Sequence, residues 1–399
     1  MSRRAPAIGA VLVALAAAAM PSRALADSPP EGEALVGKPH VDQFLDTNYL
    51  GPRFSSHAEK NGFDLFEAQI APHFFFYQWV DGLLRPHEGW HHWNGWSLVF
   101  VPLFRLRMTT SSSNPVRTPS ANPQFVTIQK FFTWGSVRSA VGPGGVWPTE
   151  GGWVGMLGIQ YTIAHHSNGQ DGCTFVGTGT VDPNCAPADF SHGVPPVNTL
   201  NGNYGTNYET LGVHHKWFQL DRDQREHQAH EAGLSWERYE GTAIAWFLPG
   251  GFDNSQGSLD LQRIFGKHRV TGHYEYERAL SVCAFERLRA RGELTGISPA
   301  SNVSWKGRAM AETALLFRDA GGFGMFGRLF YGQDYYNIRL QDVGFMAIVG
   351  FTWELRPLQV FHAGSAPITS GTQQPPTTDV TSGSAPPPPT TPLPGGSPR

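Results

Sequence analysis

Trp153-Val154-Gly155-Met156-Leu157-Gly158-Ile159-Gln160-Tyr161-Thr162-Ile163-Ala164-His165-His166-Ser167-Asn168-Gly169 is the stretch whose reading decides the fold. A β-strand sends successive side chains to opposite faces. Numbered that way, one face carries Trp153, Gly155, Leu157, Ile159, Tyr161 and Ile163, then His165 and Ser167. The other carries Val154, Met156, Gly158, Gln160, Thr162, Ala164, His166 and Asn168. The apolar face therefore runs into an imidazole and a hydroxyl two residues apart. A serine hydroxyl is a weak nucleophile until a neighbouring base takes its proton, so this pair is the minimum equipment for nucleophilic catalysis. On the greasy side of a strand, such a pair suits a lipid substrate and a face turned to a membrane. A polar strand end that simply meets headgroups is the bland alternative.

Outward from this stretch, the chain alternates repeatedly. In 63–77, Phe66, Ala68, Ile70, Phe74 and Phe76 oppose Glu67, Gln69 and His73; in 96–108, Leu98, Phe100, Phe104 and Leu106 oppose Ser97, Arg105 and Arg107. Further strand candidates are 125–134, 153–167, 207–217, 234–248, 259–266, 270–285, 304–317, 323–333 and 340–355. Apolar residues outside and polar ones toward a wet lumen are the pattern of a transmembrane β-barrel. Only 16% of residues are charged, 12% are aromatic and 46 are Gly, which fits that class, although a soluble β-sandwich shares the composition.

The ends read differently. Residues 1–26 have the form of a secretory signal: Arg3 and Arg4, an apolar run from Ala7 to Met20, and the small-x-small site Ala24-Leu25-Ala26. The run is too short to span a membrane comfortably, and no later stretch reads as a transmembrane helix. Removing it takes away three Arg and no acid, so the formal charge moves from −3 to −6. No basic patch stands out, which argues against a nucleic-acid partner. Residues 27–58 read as an irregular periplasmic segment, 59–356 as the barrel, and 357–399 as a disordered tail rich in Pro, Thr, Ser and Gly.

Cys173 and Cys185 flank a short Gly/Thr/Pro loop and could pair in an oxidising compartment, leaving Cys283 over. His87, His91 and His92, and His214, His215, His227 and His230, could ligate metal, but no local spacing is diagnostic and exposed loop histidines are commoner. The charged run Asp221 to Glu231 reads as a solvated loop or short helix.

His165-His166-Ser167-Asn168-Gly169, preceded by Tyr161, resembles the H-x-S-N-G signature of the outer-membrane phospholipase A family. Asp46-Thr47-Asn48-Tyr49-Leu50 is similar to that family's D-T-N-Y-L. The region from Ala311 through Tyr331-Gly332-Gln333-Asp334 to Gly344-Phe345-Met346-Ala347-Ile348-Val349-Gly350-Phe351 also looks alike. H-x-S-N occurs in lipid A deacylases too; its combination with D-T-N-Y-L, in order, is more specific. The resemblance implies an all-β antiparallel barrel of about twelve strands in the bacterial outer membrane. It implies calcium-dependent hydrolysis of phospholipid acyl esters (phospholipase A1 and A2 chemistry) by a homodimer, with membrane phospholipids as partners and the catalytic groups outside the barrel near the outer leaflet.

By the same resemblance, Ser167 is the nucleophile and His165 the general base and then acid. The third member is the Asn that opens the next strand, Asn207 in Asn207-Tyr208-Glu209-Thr210-Leu211, with Asn203 and Glu209 as alternates of the same parity. The interval from Ser167 to Asn207 is longer than the family's, because the Cys173–Cys185 loop and a Gly/Asn-rich stretch intervene. For Ca²⁺ the family's pattern points to the backbone carbonyl of Gln170, to Asn203 where a serine is usual, and to a first-loop residue near Ser112, Ser113 or Asn114. Two other functions remain open: a lipid A deacylase, with Glu209 behind the ring, and a non-enzymatic barrel with a degenerate site.

Overall fold

The computed structural model of the chain describes residues 45–55, 64–81, 93–109, 119–136, 153–170, 172–175, 197–198, 201–221, 226–239, 243–245, 248–249, 264–282, 284–298, 306–336, 339 and 341–354. Strands follow in chain order as β1 (Asn48–Gly51), β2 (Arg53–Ser55), β3 (Asp64–Ile70), β4 (Phe74–Asp81), β5 (Trp93–Thr109), β6 (Ser120–Ser136), β7 (Trp153–Ser167) and β8 (Gly205–Leu220). They continue as β9 (Glu226–Arg238), β10 (Ala243–Ala245), β11 (Leu248–Pro249), β12 (His268–Ala279), β13 (Phe285–Ser298), β14 (Gly307–Phe317), β15 (Phe323–Gln333) and β16 (Val343–Trp353). Apart from the small β10–β11 pair, all join one 14-stranded antiparallel sheet. In it β2 continues β1 along β16, and β4 continues β3 along β5. Two staves are thus each broken into two segments, and the ring has twelve staves. β1 pairs with both β3 and β16 and shuts it.

Closure explains the sequence pattern. A ring has no edge, so backbone N–H and C=O groups pair without water, which is what a hydrocarbon surrounding demands. Side chains then sort by parity. Leu294 on β13 is 68% exposed while Glu67 on β3 is 0% exposed, the reverse of a water-soluble protein. Ile159, Leu211, Val213, Trp217, Leu234 and Leu329 likewise face outward. Inside, buried charge is offset by pairing, as a low-dielectric interior requires. Arg289 meets Glu312 at 2.5 Å and Glu354 at 2.7 Å, and Lys216 meets Glu277 at 2.5 Å.

The Asp46-Thr47-Asn48-Tyr49 stretch stitches the closing seam. Where the second stave breaks between β3 and β4, the Ala71 backbone N–H donates to Asn48 Oδ1 at 2.6 Å. Gln69 Nε2 donates to the Thr47 carbonyl at 2.7 Å, and the Tyr49 hydroxyl to Glu67 at 2.7 Å. Residues 48–55, expected to be irregular, are therefore a stave. Their period was hard to read because the stave is short and interrupted at Pro52.

Four further expectations are corrected. Glu226 to Glu231, read as solvated, begins β9, with Glu226 and Glu231 buried toward the lumen. That strand ends at Arg238 rather than reaching 248, and 264–265 form a helical turn instead of a strand. The single 270–285 candidate is β12 plus a turn, and the charged stretch 285–298, not singled out, is β13. Charges on a lumen face blur the apolar period that marks a strand. Cys173 is disulfide-bonded, and its partner lies outside the described residues, as do 1–26, 357–399, Cys185, Cys283, His87, His91 and His92.

The ring's two ends differ. β8–β9, β12–β13 and β14–β15 join through 221–225, 280–284 and 318–322, whereas β7–β8 and β9–β12 join on the other side through 168–204 and 239–267. At that long-loop end Asp334 caps the lumen. Arg107 clasps both its carboxylate oxygens at 2.7 Å and Arg53 reaches one at 3.4 Å. Burial pushes the Asp334 carboxyl up, but Arg107 and Arg53 outweigh burial and hold it at about 2. A depressed carboxyl stabilises the fold above its unfolded pKa and loses that contribution as pH falls through its folded one. Asp334→Asn should lower the thermal midpoint at pH 7, with a loss of about 3 kcal/mol, because buried Arg107 loses one of its two counterions and keeps only Glu67, at 2.6 Å. The gap to wild type should close between about pH 4 and pH 2. Thermal melts followed by circular dichroism check this, and equal midpoints at pH 7 would contradict it.

Candidate active site

His165 and Ser167 end β7 at the long-loop side of the ring. Parity places them outward, in line with the exposed Ile159, while His166 between them faces the lumen. β7 pairs with β8 so that His165 lies across from Asn207 and Ser167 across from Gly205. His165 Nδ1 and Asn207 Oδ1 are 2.7 Å apart. An amide oxygen can only accept, so Nδ1 carries the hydrogen and Nε2 keeps its lone pair. Asn207 is buried, whereas His165 and Ser167 are half-buried.

Gly205 lies in the next row, across from Ser167. A Cβ there would stand 4.0 Å from His165 Cε1, so the imidazole leans along the strand toward the Ser167–Gly205 row. Ser167 and His165 share one face of one strand, about 7 Å apart along the chain, a gap that the long imidazole side chain narrows.

His166 serves the lumen side. Its Nε2 is 2.8 Å from Ser120 Oγ and its Nδ1 3.4 Å from the Tyr204 hydroxyl. Its ring packs edge-on against Tyr204 and Phe265. Ala164, Phe175, Val197, Tyr204, Tyr208, Tyr239, Ile264 and Phe265 form a buried cluster there, which ties the described ends of the two long connections to β7 and β8 behind the outward pair. Burial pushes the Tyr204 and Tyr239 hydroxyls well up, so both stay neutral.

The alternates for the third member are placed elsewhere. Glu209 accepts from the Tyr161 hydroxyl at 2.8 Å and from Arg238 at 3.1 Å. Asn203 lies in the loop, its N–H donating to the Gly172 carbonyl at 2.8 Å and its carbonyl accepting from Thr174 at 3.0 Å. Of the three candidates, Asn207 is the one the structure brings to the ring nitrogen.

Gln170 and Asn203 sit on the two limbs at the root of the 168–204 loop. Asn168 N–H to the Tyr204 carbonyl at 3.1 Å and Gly172 N–H to the Asn201 carbonyl at 3.0 Å bind those limbs together beside the ends of β7 and β8. Their neutral carbonyl and amide oxygens are hard donors, the type Ca²⁺ takes. Ser112, Ser113 and Asn114 lie outside the described residues.

One neighbour was not anticipated. The β6–β7 register slips between Gln124 and Val126, so Phe125 is an extra residue in a bulge. It is exposed on the outer wall, with its ring 6.4 Å from that of His165. Bulges re-aim side chains beside functional sites, and a strict period of two cannot reveal one.

No protein-family model matches the chain, and no curated protein does. Solved structures are found at low identity. Outer membrane phospholipase A from Escherichia coli aligns with a TM-score of 0.36 at 13% identity, covering 77% of this chain and 92% of that one. A dimer of the Salmonella typhi outer membrane phospholipase with bound calcium gives 0.35 at 14%, covering 77% and 91%. The β domain of the Bordetella autotransporter BrkA gives 0.29 at 10%, covering 77% and 96%. An autotransporter stands beside the phospholipases, and at these scores the likeness adds no argument about function.

The ring geometry is testable without reference to activity. In ¹⁵N-histidine NMR of the folded barrel, the neutral His165 ring should be the Nδ1–H tautomer. Asn207→Ala should mix the tautomers, whereas Glu209→Gln should not. A His165 signal indifferent to Asn207→Ala would contradict the arrangement.

Proposed function

We propose that this chain is an outer-membrane phospholipase that hydrolyses acyl esters of glycerophospholipids, at either ester position, through Ser167, His165 and Asn207. The single observation that carries the reading is the 2.7 Å contact between His165 and Asn207 on the lipid-facing wall. An imidazole fixed in one tautomer beside a hydroxyl has no evident structural use there, but it suits attack on an ester lying near the headgroups.

The steps follow from the groups present. His165 Nε2 takes the Ser167 proton as Oγ attacks the ester carbonyl carbon. The carbonyl π pair moves onto oxygen, and the backbone N–H of Ser167 is a donor for that oxyanion. As the tetrahedral species collapses, His165 gives its proton to the departing alcohol oxygen of the lysolipid. Water, deprotonated by the same Nε2, then attacks the acyl carbon, the bond to Ser167 Oγ breaks, and His165 returns the proton to Oγ as the fatty acid leaves. Throughout, Asn207 holds the ring through Nδ1–H. A neutral amide suits this lipid-facing place, where a carboxylate would bear a large desolvation cost before any positive charge had formed. Gln170 and Asn203 would hold Ca²⁺, which supplies a Lewis acid to polarise the ester carbonyl. The motif resemblance further implies that two copies pair in the membrane, and residues 1–26, with their basic start, apolar run and Ala24-Leu25-Ala26, would be the cleaved leader that delivers the chain there.

Phospholipid hydrolysis by the refolded barrel tests this. Ser167→Ala should lower the rate at least about a thousandfold. Asn207→Ala should lower it by roughly one to three orders of magnitude, less than loss of a carboxylate partner costs in related triads. Glu209→Gln should leave it within about threefold of wild type. A chelator should suppress the wild-type rate, and added Ca²⁺ restore it. If Ser167→Ala stays active, the assignment fails. Should Glu209→Gln be the damaging change and the acyl pattern of lipid A be altered in expressing cells, lipid A deacylation is the better reading.

A further inference from the structure

We propose that the lumen holds a site for a borderline divalent transition metal such as Zn²⁺, built from His214, Glu231 and His273. The three residues come from three neighbouring strands, β8, β9 and β12, and all face inward. Strand register makes the cluster. His214 lies across from Gly233 on one side of β9, and His273 lies across from the same Gly233 on the other. Glu231 is two residues from Gly233 and so points to the same face.

Gly233 is what lets the two rings approach. A Cβ there would meet both imidazoles, standing 2.7 Å from His214 Nδ1. Gly212 leaves a second gap on the same face, where a Cβ would be 2.9 Å from His214 Nε2. The His214 and His273 ring centroids stand 5.2 Å apart. Glu231 Oε1 is 3.0 Å from His273 Nε2 and 3.8 Å from His214 Nδ1. One ligand atom from each residue falls within 4.8 Å of the others. Ligands of a tetrahedral ion at ordinary zinc bond lengths stand about 3.3 Å apart, so small side-chain movements close the set.

The donor chemistry selects the ion. Two imidazoles and one carboxylate suit zinc and its neighbours, whereas Ca²⁺ wants an all-oxygen shell. The fourth position opens on a lumen cavity of about 280 Å³, whose wall includes His214, His273, Arg291 and Glu293. A water or a small anion could complete the shell from there. Lys216 Nζ stands 3.9 Å from Glu231 Oε2, on the far side of the carboxylate, and leaves Oε1 turned to the imidazoles. The site is independent of the proposed hydrolase: β8 carries Asn207 on its outer face and His214 on its inner one.

The experiment uses the full chain, without an affinity tag, refolded in detergent and stripped with a chelator. Co²⁺ is titrated by visible absorption and then displaced by Zn²⁺ or Ca²⁺. One equivalent should bind with the intense d–d bands of a four- or five-coordinate N/O shell. Zn²⁺ should displace it and Ca²⁺ should not. His214→Gln, His273→Gln and Glu231→Gln should each weaken binding at least about a hundredfold. His215→Gln, one residue along on the outer wall, should not change it, nor should Ser167→Ala. Absence of a stoichiometric Co²⁺ spectrum in wild type overturns the proposal. So does equal weakening by His215→Gln. Should a ligand variant fail to fold, the wild-type spectrum and the His215→Gln control decide between these outcomes.

Discussion

The structure depends on the pairing of β1 with β16. Without it the sheet has two edges whose backbone groups would meet hydrocarbon unpaired, a cost of several kcal/mol for each. The local chemistry of the seam follows from that demand. Asn48 donates to the Trp353 carbonyl at 3.2 Å with its amide nitrogen and accepts from Ala71 at 2.6 Å with its oxygen, so one side chain bridges both neighbours of the first stave. Thr352 Oγ1 adds a bond to the Asn48 carbonyl at 2.9 Å. The polar residues that look idle in the sequence near the start of the chain are thus spent on closure.

Closure fixes parity, and parity sorts function. Once the ring is shut, each residue of a stave faces either lipid or lumen, and a slip of one residue would exchange the two. The adjacent histidines of β7 show the result. His165 meets an amide on the outer wall, and His166 meets a serine and a tyrosine inside. β8 repeats the division: Asn207 faces outward, and His214 faces inward beside Gly233. The described lumen face is lined by ion pairs around a cavity of about 280 Å³, so the two faces of one strand meet different surroundings.

Much of this was legible in the sequence because it is local and periodic. β7 alternates cleanly, and its break from apolar to polar at His165 marks both the wall and its end. Asn207 could be chosen across a long insertion only through the motif resemblance, which puts an Asn at the start of the next alternating strand; parity alone left Asn203 and Glu209 equal to it. What escaped was non-local or aperiodic. β13 reads Arg287, Arg289, Arg291 and Glu293 on its inner face, a charge run that in water would mark a surface. The same holds for the start of β9. Residues 48–55 were too short and too interrupted to show a period. The bulge at Phe125 breaks the period of two by construction. The His214, Glu231 and His273 cluster exists only through register across three strands, and the local spacing of these histidines carries no trace of it.

The central claim is that the hydroxyl at the end of β7 is activated by the ring held by Asn207. The most direct measurement is covalent labelling of the folded barrel with a lipophilic sulfonyl fluoride, with the modified residue located by mass spectrometry. The expected result is one label on Ser167, lost in His165→Ala and slowed in Asn207→Ala. Labelling of Ser167 at the same rate in His165→Ala, or no label in the folded wild type, would contradict the account.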